Sequence, residues 1–126
     1  MGLDRNNSPL IASPRGFSHV VKFGNTVYIS GQVGRKPDGS LAGPDIDSQT
    51  KQVFNNLNAA LRSVKLSMKN VVKTTVFITD REDLDGYRRV RDQVVTADFP
   101  ASTLLIVSGL VQPELRVEVE AIAILD

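Results

Sequence analysis

The chain has 126 residues, 41% of them apolar and 23% charged, in keeping with one soluble globular domain that has a core of its own. Fifteen Lys and Arg offset fourteen Asp and Glu, so charge gives no reason to expect nucleic acid, an anionic membrane or a strongly acidic partner. There is no cysteine and a single histidine, which excludes disulfides, thiolate chemistry and cysteine metal sites and argues against a histidine-rich metal centre.

Residues 1–15 read as an irregular lead, since Asn6, Asn7, Ser8, Pro9, Ser13 and Pro14 are turn and breaker residues with little to pack. The lead has no apolar signal core and no later run approaches membrane-spanning length, so cytoplasmic residence is expected. Phe17–Lys22 and Thr26–Ser30 are β-rich runs joined by Gly24-Asn25, the pattern of a hairpin. Gly31 closes the second run at a point where another group can approach the backbone. Lys36–Asp47 is a loop rich in Gly, Pro and Asp, with room for a short strand about Leu41.

Asp45 or Asp47 caps a helix expected over Ser48–Leu66, in which Val53, Leu57, Ala60, Leu61 and Val64 recur at helical spacing. Val71–Ile78 is heavy in β-branched residues and reads as a strand. Thr79-Asp80-Arg81-Glu82 has the form of a capping box, so a second helix is expected from there. Its apolar stripe is Leu84, Tyr87, Val90 and Val94, and it should stop before Pro100. Two further strands flank a turn marked by Gly109 and Pro113. The whole of 1–126 thus reads as a single α+β domain, with no repeat or linker.

Two helices can cover only one face of such a sheet. Yet Leu104–Val107 and Ala121–Ile124 are apolar at successive positions, which puts apolar side chains on both faces. The simplest cover for the second face is another copy of the chain, so a homo-oligomer is expected.

Along the last strand Arg116, Glu118 and Glu120 share one face, continued by Ile122 and Ile124. One reading is a partly solvated strand end whose charges pair across the sheet. The other is a cleft in which a buried Glu120, its pKa raised, serves as a general acid or base. His19 reads as a strand surface residue rather than a catalyst. Arg88, Arg89 and Arg91 read as the solvated side of a helix, although one of them facing a cleft could hold an anion. No phosphate-binding loop, serine-hydrolase elbow, zinc-protease motif or dinucleotide fingerprint is present.

Several segments, taken together and in order, resemble the YjgF/Rid family of reactive-intermediate deaminases. They are Gly16-Phe17-Ser18, Gly24–Gln32, Gln49-Thr50, Val71–Asp80, Pro100-Ala101 and Val117–Ala123. The resemblance implies a chorismate-mutase-like α+β fold, with a mixed sheet of about six strands and two helices packed on one face. It also implies a homotrimer whose sheets form a central barrel, with ligand clefts at the subunit interfaces. Known members of the family hydrolyse imines and enamines to a keto acid and ammonia without metal or cofactor. Position by position, Glu120 matches the carboxylate that positions or activates water. Phe17 stands where an aromatic residue walls the cleft, and Ser30 and Gly31 match the strand end that lines it.

One position departs from that pattern. Family members acting on 2-imino acids carry an arginine directly after Pro-Ala, where it forks onto the substrate carboxylate. Here Pro100-Ala101 is followed by Ser102-Thr103. A serine hydroxyl offers one donor and no charge. Losing such a charged hydrogen bond costs on the order of 2–5 kcal/mol, enough to change the substrate class. Arg88 is the candidate for restoring a cation from the helix side. The expected substrate-binding set is therefore Phe17, Ser30, Gly31, Arg88, Ser102 and Thr103 around the catalytic Glu120. The expected activity is cofactor-free hydrolysis of an imine, enamine or related small metabolite. The alternative is a non-catalytic small-molecule-binding or regulatory trimer. A ribonuclease finds little support in a near-neutral chain with no basic stripe.

Overall fold

The computed structural model describes residues 2–126. Its strands are β1 (Leu3–Asn6), β2 (Val20–Phe23), β3 (Thr26–Val33), β4 (Val71–Ile78), β5 (Ala101–Ile106) and β6 (Val117–Ile124). They form one sheet in the order β1-β2-β3-β6-β4-β5. Only β4 and β5 run parallel, because the helix between them carries the chain back across the sheet. That helix is α2 (Leu84–Val94), and α1 (Ile46–Arg62) precedes β4. Both helices pack on the same face, as the fold implied by the resemblance requires.

Strand alternation sets the layers. On the central β6, Val117, Val119, Ala121 and Ala123 are buried beneath the helices, while Glu118, Glu120, Ile122 and Ile124 point the other way. Val53, Leu57, Ala60 and Leu61 of α1 are fully buried against the inner face. The Phe54 and Tyr87 rings stack at 6.3 Å between their centroids, joining α1 to α2. Asp45 is the cap of α1, its carboxylate accepting from the Ser48 N–H at 2.9 Å.

Five local expectations are corrected. The lead is not irregular throughout: Leu3–Asn6 pairs antiparallel with β2. Backbone bonding along an exposed sheet edge tolerates so polar a segment. His19, expected at a strand surface, is instead buried and anchors the rest of the lead: its Nδ1 accepts from the Ser8 N–H and its Nε2 donates to the Ala12 carbonyl, both at 3.0 Å. The helix expected to reach Leu66 ends at Arg62, and Lys65 at a φ of 64° marks a left-handed stop that periodicity does not register. Asp80 caps a short 3-10 turn over Arg81–Asp83, and α2 begins only at Leu84. β3 does not end at Gly31 but runs through it to Val33.

Buried Gln49 ties the helix layer to the sheet. Its Nε2 donates to the carbonyls of Gly43 (2.9 Å) and Glu114 (3.0 Å), and its Oε1 accepts from the Arg116 N–H at 2.8 Å. Next to it, the Thr50 hydroxyl is buried without a partner. Substitutions at these adjacent residues should therefore act in opposite directions. Gln49→Leu should destabilise by about 3 kcal/mol, since it strands three backbone groups. Thr50→Val should be neutral or stabilising by about 1 kcal/mol, since it removes an unpaired hydroxyl. Urea unfolding midpoints of the two variants measure both.

Candidate functional site

The β3–β6 ladder pairs Ile29 with Ala121 and Gln32 with Val119, so Ser30 and Gly31 together oppose the single residue Glu120. This is a β-bulge, which bends the strand and re-aims its side chains. Two bonds pin it from β2's side: Ser30 Oγ donates to the Ser18 carbonyl at 2.5 Å, and the Ser30 N–H donates to the His19 carbonyl at 3.0 Å. A Cβ at position 31 would overlap the Glu118 carboxylate, so a larger residue there would displace the tip of that side chain. Gly31 also lines a small cavity of about 120 Å³ with Phe17, His19 and Asn56. Phe17 stands at its rim, 54% exposed, its ring centroid 6.4 Å from that of His19. Four expected residues, Phe17, Ser30, Gly31 and Glu120, are thus brought together about the β3–β6 bulge.

Burial falls on a different carboxylate from the one expected. Glu120 is exposed, whereas Glu118 is half-buried. Burial pushes the Glu118 carboxyl above the usual carboxylate range, and the neighbouring Glu120 charge adds to the effect. Glu120 projects from the sheet face that the helices leave open; Glu118 is sheltered by its position against Gly31.

Ser102 and Thr103 are separated by strand alternation. Glu120 is paired with Thr75 on β4, and Thr75 with Thr103 on β5, so Thr103 shares the Glu120 face two strands away, roughly 10 Å across. Lys73 lies on that face as well, donating from Nζ to Thr103 Oγ1 at 3.0 Å and to the Thr74 carbonyl at 2.9 Å. Ser102 faces the helices. Its Oγ accepts from Thr74 Oγ1 at 3.0 Å, and it lines a cavity of about 330 Å³ with Phe54, Tyr87, Arg91 and Phe99. Within one protomer Ser102 and Glu120 are on opposite sides of the sheet.

Arg88 is not the cation at that cavity. It is exposed on α2 and forms no hydrogen bond or ion pair among the described residues. Arg91, nearly a turn further on, lies on the Tyr87 side of the helix, 6.0 Å from that ring and paired to Asp92 at 2.8 Å. Burial pushes the Tyr87 phenol up to about 12, so it remains a neutral hydroxyl. A larger groove of about 730 Å³ beside Ser108–Arg116 holds none of the expected residues, and its Arg116 is paired to Asp83 at 3.1 Å. Among the described residues no three acidic or histidine side chains are placed to hold a metal ion, and no helix is long and apolar enough to cross a membrane.

Sequence reasoning did not single out Lys73, and it gave Glu118 no role. Glu118 shares the parity of Glu120 along β6, which the sequence displays, whereas the place of Lys73 on the same face is readable only once the register of β4 against β6 is known.

Residues 8–125 match the family described as Endoribonuclease L-PSP. The human 2-iminobutanoate/2-iminopropanoate deaminase is 34% identical over 109 residues, 86% of this chain and 79% of that protein. The chain belongs to the YjgF/Rid family. Among solved members, the Rid-family protein YyfA of Yersinia pestis superposes with a TM-score of 0.94 at 31% identity, covering 98% of this chain and all of that one. A Rid relative from Lactococcus lactis, 34% identical over 98 residues and 77% of each chain, is named a putative regulator, AldR.

The Glu118 shift has a consequence for stability. A carboxyl whose folded pKa lies above its unfolded value leaves the folded state holding the extra proton between the two values. Stability is then greatest below the unfolded pKa and falls as pH rises through the folded one. As pH rises above the ordinary glutamate range, wild type should lose stability relative to Glu118→Gln, as read from urea unfolding at several pH values.

Proposed function

We propose that the protein is a cofactor-free hydrolase of imines or enamines, releasing ammonia in the cytoplasm at clefts between the subunits of a homotrimer. The observation that carries this reading is the bulge of Ser30 and Gly31 opposite Glu120, on a sheet face that no helix among the described residues covers. The same face exposes Tyr28 (51%) and Leu105 (43%), which favours burial against further copies. An interface there would enclose Glu120 together with whatever the neighbour contributes.

An iminium carbon is already electrophilic, so few groups are needed. Water must be held in line with that carbon, and its proton must be accepted as the C–O bond forms. Glu120 is assigned both tasks. The relatives named 2-iminobutanoate/2-iminopropanoate deaminases support the reaction type. Ser102 in place of the family arginine argues for an imine or enamine that does not depend on a bidentate carboxylate clamp.

The relative named as a regulator favours a second reading, in which the same trimer binds a small metabolite without turning it over. Ammonia release from imines formed in place by an amine oxidase separates the two. Wild type should accelerate hydrolysis. Glu120→Gln should lower it by about 100-fold or more while leaving the oligomer unchanged on a sizing column. Saturable binding with no acceleration by wild type would establish the second reading instead.

A further inference from the structure

We propose that Glu118 is a second catalytic residue of this site, the acid that protonates the departing nitrogen while Glu120 serves the water. The proposal rests on the hydrolase reading above. Two acids on one strand do not make a site; what marks Glu118 is its setting. Its carboxylate lies over Gly31 in space that any other residue at that position would fill, next to the bulge that faces Glu120. It is half-buried, yet it forms no hydrogen bond or ion pair among the described residues.

The surrounding charged and titratable groups are all turned elsewhere. On β6, Arg116 is held by the Pro44 carbonyl and Asp83. On β4, the residue paired with Glu118 is Phe77, and Lys73 is bound to Thr103. On β3 its partner is Val33, while Tyr28 lies further along, opposite Ile122. Arg35 is engaged by Glu114, and the His19 ring by Ser8 and Ala12. Glu120 is the remaining titratable neighbour on the strand. Burial and that charge both favour the protonated form of Glu118. A half-buried carboxyl with no partner is costly to keep for structure alone.

The two carboxyls then divide the work. They lie two residues apart on one strand face, about 7 Å between their Cα atoms, a span that admits a water and a small imine. Water adds to the iminium carbon and gives its proton to the Glu120 carboxylate, forming a neutral carbinolamine. The Glu118 carboxylic acid protonates the amine nitrogen. The C–N bond breaks as the hydroxyl lone pair forms the carbonyl, and the hydroxyl proton returns to Glu118. The proton on Glu120 leaves with ammonia as ammonium, which restores both groups. The sum is iminium plus water giving carbonyl compound plus ammonium.

The test compares wild type, Glu118→Gln and Glu118→Asp over roughly pH 5 to 9, on an imine of ammonia and on one of the weakly basic trifluoroethylamine. Glu118→Gln should lower kcat on the ammonia imine by about 100-fold and remove the alkaline limb of the pH profile. Its loss on the trifluoroethylamine imine should be larger, because that carbinolamine nitrogen is too weak a base to be protonated without an acid and an amine does not depart as its anion. Glu118→Asp should restore part of the rate and the alkaline limb. A Glu118→Gln enzyme that matches wild type overturns the assignment while leaving the hydrolase reading standing. Equal losses on both imines with an unchanged pH profile also overturn it, since they indicate a structural role. Should Glu118→Gln fail to fold, Glu118→Ala decides: a wild-type rate and profile on both imines overturns the assignment. A wild type inactive on both imines overturns the hydrolase reading and this one together.

Discussion

The constraint on which the rest depends is the two-against-one bulge between β3 and β6. Without it, β3 would continue in register and Gly31 would be an ordinary pleat position. With it, Ser30 and Gly31 face Glu120, and the missing Cβ of Gly31 gives the Glu118 carboxylate a place to lie. The bulge is held by Ser30's two bonds to the Ser18 and His19 carbonyls. His19 in turn is locked by Ser8 and Ala12. The histidine is thus structural: it uses its hydrogen-bonding capacity to tie the N-terminal lead beside the candidate site.

The two faces of the sheet have different duties. The inner face, under α1 and α2, carries the core, and Gln49 supplies the polar attachments that an apolar interface lacks. The outer face carries Glu118, Glu120, Thr75, Thr103 and Lys73 among apolar residues, and no helix among the described residues covers it. A polar cluster set among exposed apolar groups is what a face looks like when its cover comes from outside the chain. The proposed trimer would bury it, which would raise the cost of any unpaired charge there.

The separation of Ser102 from Thr103 shows how strand parity limits position-by-position inference. Adjacent in sequence, they serve opposite faces: Thr103 belongs with Glu120, and Ser102 with Thr74 and the cavity near Arg91. A cation replacing an arginine at position 102 from within the same protomer would therefore come from the helix side, where Arg91 lies on the Tyr87 face and Arg88 does not.

The sequence by itself determined the element order, the α+β class and the family, because these depend on local β-branched runs, helical spacing and motif order. It also determined that one sheet face would lack cover, since Leu104–Val107 and Ala121–Ile124 have no polar alternation. Tertiary structure decided what depends on register. The pairing of Ile29 with Ala121 and Gln32 with Val119 made a mid-strand bulge out of an apparent strand end. Packing against Gly31 moved the sheltered carboxylate from Glu120 to Glu118. The edge of β2 turned a polar lead into β1 by offering unpaired backbone groups that no side-chain pattern records. Local propensity acts through neighbours in sequence, whereas register and burial are fixed by neighbours in space.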